Sequence, residues 1–260
     1  RFAGLEFMTF FQFVLIGLGG FSAGLVNALA GGGTLITFPM LVALGVPAVT
    51  ATVTNTVAPS PGYSGATLAQ RKDLQEQKNR LVWLIPAALI GGVGGALLLL
   101  KTGERLFTHA VPWLILLAAL LLALNEPLKR WLKFHAPEEY SSKHQSKWVA
   151  ISASLVAVYG GYFGAGLSVI VLAVLALFYQ DSLTKLNALK QAVALSANVA
   201  AAVFFVFSGK VNWLVAVIMA FFALAGGVAG GKLAGKINVT ILRALIVFIA
   251  VIVAILYLLK

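Results

Sequence analysis

Three consecutive glycines interrupt a long apolar stretch near the start of the chain. Residues 7–30 are predominantly apolar, Gly31, Gly32 and Gly33 follow, and Thr34 opens a second apolar run. Each Gly costs a helix about 1 kcal/mol relative to Ala, so three together predict a break. Amides freed by such a break are tolerated in a membrane only where protein or a wet cavity covers them. A broken membrane helix of this kind indicates half of a transporter's binding site.

The composition is that of an integral membrane protein. Of the 260 residues, 60% are hydrophobic and 10% are charged, whereas soluble domains carry about 25% charged residues. The acidic residues lie at or near the ends of apolar runs or between them: Glu6, Asp73, Glu76, Glu104, Glu126, Glu138, Glu139 and Asp181. The net charge of +11 comes from bases clustered in loops. Such bases are expected as topology signals and lipid contacts, so the charge does not imply nucleic acid.

We expect an all-α polytopic membrane protein, because a spanning helix needs about 20 apolar residues and about eight such segments occur. They are 7–30 with its continuation 34–45, 48–69, 81–100, 107–124, 148–178 with a break at Gly164–Gly166, 186–208, 212–234 and 239–259. If 34–58 forms a re-entrant hairpin instead, the number of crossings changes. Ala28-Leu29-Ala30 fits a signal-peptidase site, but the preceding run is too long for a signal sequence, so a retained helix is preferred.

Several features recur about half a chain apart and in the same order. Gly91-Gly-Val-Gly-Gly95 returns as Gly226-Gly-Val-Ala-Gly230, Gly31–Gly33 as Gly164-Ala-Gly166, and Thr54-Asn55 as Ala197-Asn198. We therefore predict two sequence-related halves, each with a glycine-broken helix. The first repeat covers 1–124, a connecting loop with an interfacial helix covers 125–147, and the second repeat covers 148–260. An even number of crossings in each half predicts parallel repeats, and an odd number predicts inverted ones.

The Lys and Arg residues of the short loops predict the orientation. With eight full crossings, 12 of the 19 bases, among them Arg80, Lys147 and Lys210, fall on one side, and 7, among them Lys185 and Arg243, fall on the other. This excess predicts that both termini lie in the cytoplasm.

Polar residues inside the apolar segments form two candidate half-sites. The first contains Asn27, Gly31, Gly32, Gly33, Thr34, Thr54 and Asn55, and the second contains Gly164, Gly166, Ser168, Lys190, Gln191 and Asn198. Half-helices that begin after each break would aim free N–H groups and positive dipole ends at an anion. Amides and hydroxyls donate to an oxyanion without burial of a full charge. The alternatives are interhelical hydrogen bonding for the amides and hydroxyls, and snorkelling to the interface for Lys190.

Other glycines have the spacing of helix packing. Small residues that recur every four positions let helices approach closely, and this set contains Gly17, Gly20, Gly24, Gly91, Gly95, Gly226 and Gly230. The sequence contains no cysteine, and no nucleophile–base pair or metal-ligand spacing emerges. We therefore expect neither an enzyme nor a cofactor or metal site.

Taken together, the motifs resemble those of the TauE/SafE family of sulfite exporters. The resemblance rests on Asn27-x3-Gly-Gly-Gly-Thr-x4-Pro39, the Thr/Asn-rich segment after it, Gly91–Gly95 and Gly160-Gly-Tyr-Phe-Gly-Ala-Gly166. It implies a small multi-pass transporter of the bacterial inner membrane with two related halves. The matching positions are Asn27, Gly31, Gly32, Gly33 and Thr34 in one half and Gly161, Gly164 and Gly166 in the other, while Ala165 and Leu167 depart from a fuller glycine run.

The expected function is export of a small organosulfur oxyanion, such as sulfite, sulfoacetate or a similar sulfonate. The membrane potential would drive it, and one half would rock against the other. An anion channel-like pore and transport of a different small anion are the alternatives. The expected partners are the sulfur-containing anion and membrane lipid, without nucleic acid, and a homodimer is left open.

Overall fold

The computed structural model describes residues 10–60, 71–134, 145–179, 181–233 and 236–259, whose regular secondary structure is entirely helical. The helices are α1 (Phe10–Leu29), α2 (Thr34–Ala43), α3 (Ala48–Val57), α4 (Arg71–Gln75), α5 (Lys78–Phe134), α6 (Gln145–Tyr162), α7 (Leu167–Phe178), α8 (Leu183–Val206), α9 (Trp213–Leu233) and α10 (Val239–Leu258). By length and composition, 5 stretches of the described residues can span a membrane: Phe10–Leu29, Lys78–Leu128, Thr184–Val206, Trp213–Leu233 and Val239–Leu258. The all-helical membrane architecture is confirmed, while the count of eight spans and the two repeats stay predictions.

Both glycine clusters break the helices where the sequence predicts. Between α1 and α2, Gly31 and Gly32 have φ values of 75° and 92°, and between α6 and α7, Gly164 and Gly166 both have φ of 76°. This left-handed region is favourable only for Gly, because a Cβ would approach the following carbonyl oxygen. The chain therefore leaves the helix at both clusters and starts a new one.

Segments 81–100 and 107–124, predicted as separate helices, are the two arms of α5. The arms meet at Gly103, whose φ of 73° and ψ of 170° lie outside the helical region. The second arm continues as helix to Phe134, so the first ten residues of the predicted connection 125–147 are helical. The remaining connection at 135–144 lies outside the described residues.

Contacts with the second break show that the arms of α5 fold back on one another. A methyl group at Gly95 would lie 2.8 Å from the Tyr162 nitrogen, and one at Gly166 would lie 3.5 Å from Ala118 Cα. Gly95 and Ala118 would be about 34 Å apart along a straight helix. Tyr162 and Gly166, however, are four residues apart and separated by at most about 14 Å. Gly103 is therefore the turn of a helical hairpin.

This hairpin defines two ends of the molecule. At the Gly103 end, the Glu104 carboxylate accepts the Val49 N–H at 3.1 and 3.3 Å, at the start of α3. At the opposite end, which we call the Arg80 end, Arg80 forms an ion pair with Asp181 ahead of α8. The Arg80 guanidinium carbon also lies 4.3 Å from the centre of the Tyr179 ring. Burial raises the pKa of Tyr179, the positive charge of Arg80 acts against that shift, and the negative charge of Asp181 adds to it.

The placement of bases on opposite sides, predicted from eight alternating crossings, is wrong for Lys185, Lys210 and Arg243. Lys210 follows α8, which begins at the Arg80 end and has 24 residues, so it lies at the Gly103 end. Lys185 forms an ion pair with Glu76 at 3.2 Å, and Arg243 forms one with Glu126 at 2.9 Å. Both therefore lie at the Arg80 end. The prediction fails because each glycine-broken segment reverses direction at its break, where a single straight crossing was assumed.

The glycines with packing spacing lie at close helix contacts, as predicted. A methyl group at Gly24 would lie 2.0 Å from the Ala223 carbonyl oxygen, and one at Gly226 would lie 2.0 Å from the Phe21 carbonyl oxygen. Gly20 likewise lies against Met219, and Gly230 against Leu25. From Gly20 to Gly24 the contacts advance from Met219 to Ala223, so α1 and α9 are parallel. Gly91 and Gly95 bring the first arm of α5 equally close to α6, with distances of 2.2 and 2.0 Å to carbonyl oxygens. The backbones approach too closely there for any side chain.

Large apolar side chains cover much of the outer surface of the bundle. Ile90, Leu155, Phe221 and Phe248 are each more than 60% exposed. A soluble protein would hold exposed apolar area of this kind to a few hundred Å². The surface suits hydrocarbon, and the interior holds the polar residues.

Candidate substrate site at the two helix breaks

The two breaks, predicted from distant parts of the chain, meet inside the bundle. A methyl group at Gly31 would lie 3.9 Å from Ser168 Oγ, so the first break faces the first turn of α7. Both breaks also pack on one stretch of α5. A methyl group at Gly32 would lie 2.9 Å from Leu122 Cδ2, and one at Gly166 would lie 3.3 Å from Leu121 Cβ. The candidate half-sites are therefore adjacent.

The half-helices α2 and α7 run in opposite directions from this meeting point. α2 has 10 residues, about 15 Å, and ends beside α3 at the Gly103 end. α7 has 12 residues, about 18 Å, and ends beside Tyr179 at the Arg80 end. Together they match a hydrocarbon core of about 30 Å. The N-termini of both half-helices, with their positive dipole ends and first-turn amides, therefore meet between the Gly103 end and the Arg80 end.

Aromatic packing holds the two breaks in place. Phe38 of α2 contacts the Phe163 ring edge-on, with ring centres 5.4 Å apart, and contacts Phe107 at 6.4 Å. The Tyr159 hydroxyl donates to the Ala165 carbonyl oxygen at 2.6 Å, across the second break. The Phe38, Phe107 and Phe163 side chains are buried. The backbone at the breaks is therefore fixed by contact between the two half-segments, through Phe38 and Phe163, and by contact with the preceding helix, through Tyr159.

In the first half-site, Asn27 caps the new helix. Its Oδ1 accepts the Gly33 N–H at 2.8 Å, and Gly33 is the N-cap residue of α2. This bond satisfies one of the amides that a helix start leaves free. Thr34 follows as the first residue of α2 and is half-buried.

Thr54 and Asn55 of α3 are buried and hydrogen-bonded. Asn55 Oδ1 accepts the Thr37 hydroxyl at 2.7 Å, and Thr54 Oγ1 accepts the Asn212 N–H at 3.0 Å. α3 is thereby tied to α2 on one side and to the start of α9 on the other. The two predicted residues belong to the same buried layer as the first break.

The second half-site is less compact than predicted. Asn198 Oδ1 accepts the Ser60 hydroxyl at 2.9 Å, which joins α8 to the end of α3. Lys190 Nζ donates to Asn187 Oδ1 at 2.9 Å on its own helix, and Gln191 is half-buried beside it. Within the described residues, no hydrogen bond joins Gln191 to either break.

The site offers mainly hydrogen-bond donors. Asn27, Asn55 and Asn198 each use the amide oxygen to accept a bond from the protein, so the group each can offer to a ligand is NH₂. The Thr54 oxygen also accepts, and its O–H remains a donor. No Asp or Glu occurs between Glu6 and Asp73 in the sequence. Such a site favours an acceptor-only ligand.

Sequence reasoning missed four residues that shape this site: Thr37, Ser60, Tyr159 and Asn212. Thr37 and Ser60 are hydroxyl residues in or beside predicted candidate segments, so their polar character inside apolar runs was the available signal. Tyr159 and Asn212 act through a partner fixed only by tertiary contact. Among the described residues, no group of three or more His, Asp or Glu side chains could hold a metal ion.

Comparison with known proteins identifies the family. The profile of the sulfite exporter TauE/SafE family matches residues 16–257. A probable membrane transporter protein of Haemophilus influenzae is 25% identical over 222 residues, covering 85% of this chain and 83% of its own. Probable membrane transporter protein ORF9 of a Sinorhizobium species is 24% identical over 258 residues, covering 96% and 94%. Probable membrane transporter protein YfcA of Escherichia coli K12 is 24% identical over 232 residues, covering 88% and 82%. No solved structure gives a significant match. The chain belongs to the sulfite exporter TauE/SafE family of membrane transporters.

Proposed function

We propose that this protein is a secondary transporter that exports a small organosulfur oxyanion, such as sulfite, sulfoacetate or a similar sulfonate, across a bacterial inner membrane. The observation that carries the proposal is the meeting of the two helix starts, where Gly31 faces Ser168. The family supports the sulfur oxyanion as substrate class. The substrate would lie between α2 and α7, held by amides and hydroxyls.

The charge of such a ligand suits the two helix starts. A helix N-terminus carries the equivalent of about half a positive charge, so two facing N-termini balance roughly one negative charge. A sulfonate or sulfite group presents only oxygen acceptors, and the amides of Asn55 and Asn198 offer NH₂ groups. Neutral donors bind and release an anion more readily than a buried Lys or Arg would, because a paired buried charge is costly to separate. A transporter needs that release.

We further propose that the two halves are inverted repeats. In support, α1 and α6 run in opposite directions, as do α2 and α7. Each half contributes one long helix, one half-helix after a glycine break and three later segments, and an odd number of elements suits inversion. Alternating access would then follow from one half rocking against the other around the meeting point of α2 and α7.

The Arg80 end is proposed to face the cytoplasm. Basic residues at that end of the described chain include Lys78, Arg80, Arg130, Lys147, Lys185, Lys232, Lys236 and Arg243, and those at the Gly103 end are Lys101, Arg105 and Lys210. Cytoplasmic loops carry the excess of Lys and Arg. The start of α1 and the end of α10 would then face outward. This proposal differs from the cytoplasmic termini expected from sequence, which assumed that each glycine-broken segment crosses the membrane once and straight.

The membrane potential is the proposed driving force. With a negative cell interior, each negative charge that leaves gains about 2.3 kcal/mol per 100 mV. A proton-coupled mechanism needs a titratable relay inside the membrane, and the broken segments 7–45 and 148–178 contain no Asp or Glu. Flux in liposomes that follows a pH gradient and ignores an imposed potential would contradict this part of the proposal.

Ligand binding to detergent-purified protein tests the proposed site. Sulfite, sulfoacetate, taurine and sulfate are compared by thermal shift in the wild type, Asn55→Ala and Asn198→Ala. A ligand at 100 times its Kd stabilises the folded state by about 2.7 kcal/mol. We expect an organosulfur anion to stabilise the wild type, and both variants to lose most of this shift while they remain folded.

Two outcomes would replace the proposal. If no sulfur anion shifts the wild type, the substrate class is wrong, and a shift by another small anion would redirect it. If sulfite binds but reconstituted protein shows single-channel currents, the protein is an anion pore and alternating access is wrong.

A further inference from the structure

A buried guanidinium lies at the Arg80 end, outside the broken-helix site. Arg243, near the start of α10, is 5% exposed, and its Nη1 lies 2.9 Å from Glu126 Oε1 on the second arm of α5. The Glu126 side chain is 37% exposed, against 6% for that of Arg243. The carboxylate is therefore the more accessible partner of the pair.

Arg243, Glu126 and Asn125 form a polar cluster in which two atoms have no partner. Among the described side chains, Asn125 Oδ1 and Arg243 Nε are the buried nitrogen and oxygen atoms without a hydrogen bond. Leaving a buried donor or acceptor unsatisfied costs about 1–3 kcal/mol, and more for a charged group. Asn125 directly precedes Glu126 on α5. Arg243 on α10 therefore keeps one unpaired N–H donor of a permanently charged group, while the unpaired atom of Asn125 on α5 is an acceptor.

The cluster lies close to the broken-helix site. Leu122, which packs against Gly32, precedes Glu126 by one helical turn, about 6 Å along the axis. An anion that enters from the Arg80 end would meet the cluster before it reaches the helix starts. The positively charged surroundings at that end favour such an entry.

We propose that the guanidinium of Arg243 is a second oxyanion site, at which Glu126 is the resident anion and an incoming sulfite or sulfonate displaces it. The inference rests on the proposed function, because it names the entry station for the same substrate. A buried Arg without an anion would cost several kcal/mol, so the carboxylate occupies the guanidinium whenever substrate is absent. Binding is therefore an exchange of one anion for another. The planar fork of Arg suits an oxyanion with several acceptor oxygens.

A structural ion pair between α5 and α10 would have the same geometry, so the test separates the two roles. Arg243→Gln, Arg243→Lys, Glu126→Gln and the double variant Arg243→Gln/Glu126→Gln are made in the full chain. Sulfite binding is measured by thermal shift, and initial rates of sulfite transport are measured in liposomes. Arg105→Gln, an exposed residue at the Gly103 end, serves as the charge-matched control.

An entry site predicts opposite effects of the two charges. Arg243→Gln raises the KM by about tenfold or more, the loss expected for a hydrogen bond to a charged group, with little change in maximal rate. Arg243→Lys falls between Arg243→Gln and the wild type, because it keeps the charge and loses the fork. Glu126→Gln lowers the KM, because the competing carboxylate is gone. The double variant keeps the high KM of Arg243→Gln.

A structural tie predicts a different pattern, which would overturn the proposal. Both single variants would then lower the melting temperature alike and leave the KM unchanged, and the double variant would restore stability. The binding data also distinguish failure of the proposed function from failure of the entry site alone. If wild-type protein binds no sulfite or sulfoacetate, both proposals fall. If it binds them and Arg243→Gln binds them equally well, only the entry site falls.

Discussion

The Thr37 hydroxyl donates a hydrogen bond to Asn55 Oδ1 at 2.7 Å, which joins the first turn of α2 to the last turn of α3. Both side chains are buried, at 1% and 6% exposure. The bond fixes the orientation of the Asn55 amide, because the oxygen is engaged and NH₂ is left to donate. Thr37 is thus a positioning residue for a proposed anion ligand.

Thr37→Val is expected to lower both stability and anion affinity. Val has nearly the shape of Thr but leaves the buried Asn55 oxygen without a donor, at a cost of about 1–3 kcal/mol. The melting temperature falls, and sulfite binding weakens because the amide is free to turn its oxygen toward the ligand. Thr37→Ser keeps the hydroxyl and is the control. Unchanged binding in a folded Thr37→Val variant would show that the orientation of Asn55 does not matter for the ligand.

Gly31→Ala is expected to impair transport more than its cost in stability explains. Gly31 has a φ of 75°, and its Cβ would face Ser168 Oγ at 3.9 Å, inside the meeting point of the half-helices. Gly45 has a φ of 86° with no atom within 4 Å of a Cβ, so Gly45→Ala is the matched control. Each variant strains the backbone by about 1–2 kcal/mol.

Thermal melts and sulfite binding of these two variants are compared. Both should melt lower than the wild type, by similar amounts, and only Gly31→Ala should lose the stabilisation by sulfite. Equal loss in both would indicate a general effect of backbone strain on the fold and would remove Gly31 from the site.

The breaks were predictable because glycine acts on local backbone energy. Gly31 and Gly164 lie in apolar runs that otherwise favour helix, so the interruption is visible without tertiary information. The same holds for Gly24 and Gly226, because small-residue spacing is a property of one helix. The residue types of the site followed from their polarity inside those runs.

The direction of the chain after each break was not predictable. Nothing in the Gly31–Gly33 sequence distinguishes a straight continuation from a reversal, because positive φ values permit both. The same holds for Gly164–Gly166, and the unrecognised reversal there is how Lys185 and Arg243 were misplaced relative to Arg80. The Arg243–Glu126 pair was missed for a related reason, since its partners are 117 residues apart and each looked like an ordinary loop charge.

Gly226→Ala is expected to destabilise the protein, whereas its neighbour Gly227 should accept Ala. A methyl group at Gly226 would lie 2.0 Å from the Phe21 carbonyl oxygen, but one at Gly227 would meet its nearest atom at 4.0 Å. Overpacking of this kind costs about 1–3 kcal/mol. Gly227→Ala should be neutral or stabilising by up to about 1 kcal/mol, because Ala favours helix.

Thermal denaturation in detergent measures both glycine variants. A clear drop in melting temperature for Gly226→Ala and none for Gly227→Ala supports the parallel contact of α1 with α9. Equal tolerance of the two substitutions would mean that α1 and α9 do not approach this closely, and the proposed direction of α1 would lose its support.

Cysteine labelling of intact cells is expected to place the Gly103 end outside. The chain contains no cysteine, so single-cysteine variants can be made without first replacing native cysteines. Arg105 and Lys210 are exposed at the Gly103 end, and Lys147 and Lys232 are exposed at the Arg80 end. A membrane-impermeant maleimide should label Arg105→Cys and Lys210→Cys in intact cells, and Lys147→Cys and Lys232→Cys only after permeabilisation.

The reverse pattern would put the basic Arg80 end outside, against the Lys/Arg rule, and labelling of all four in intact cells would contradict a single orientation. Because an exported anion must enter from the cytoplasm, the expected pattern would also place Arg243 on the entry side of the two helix starts.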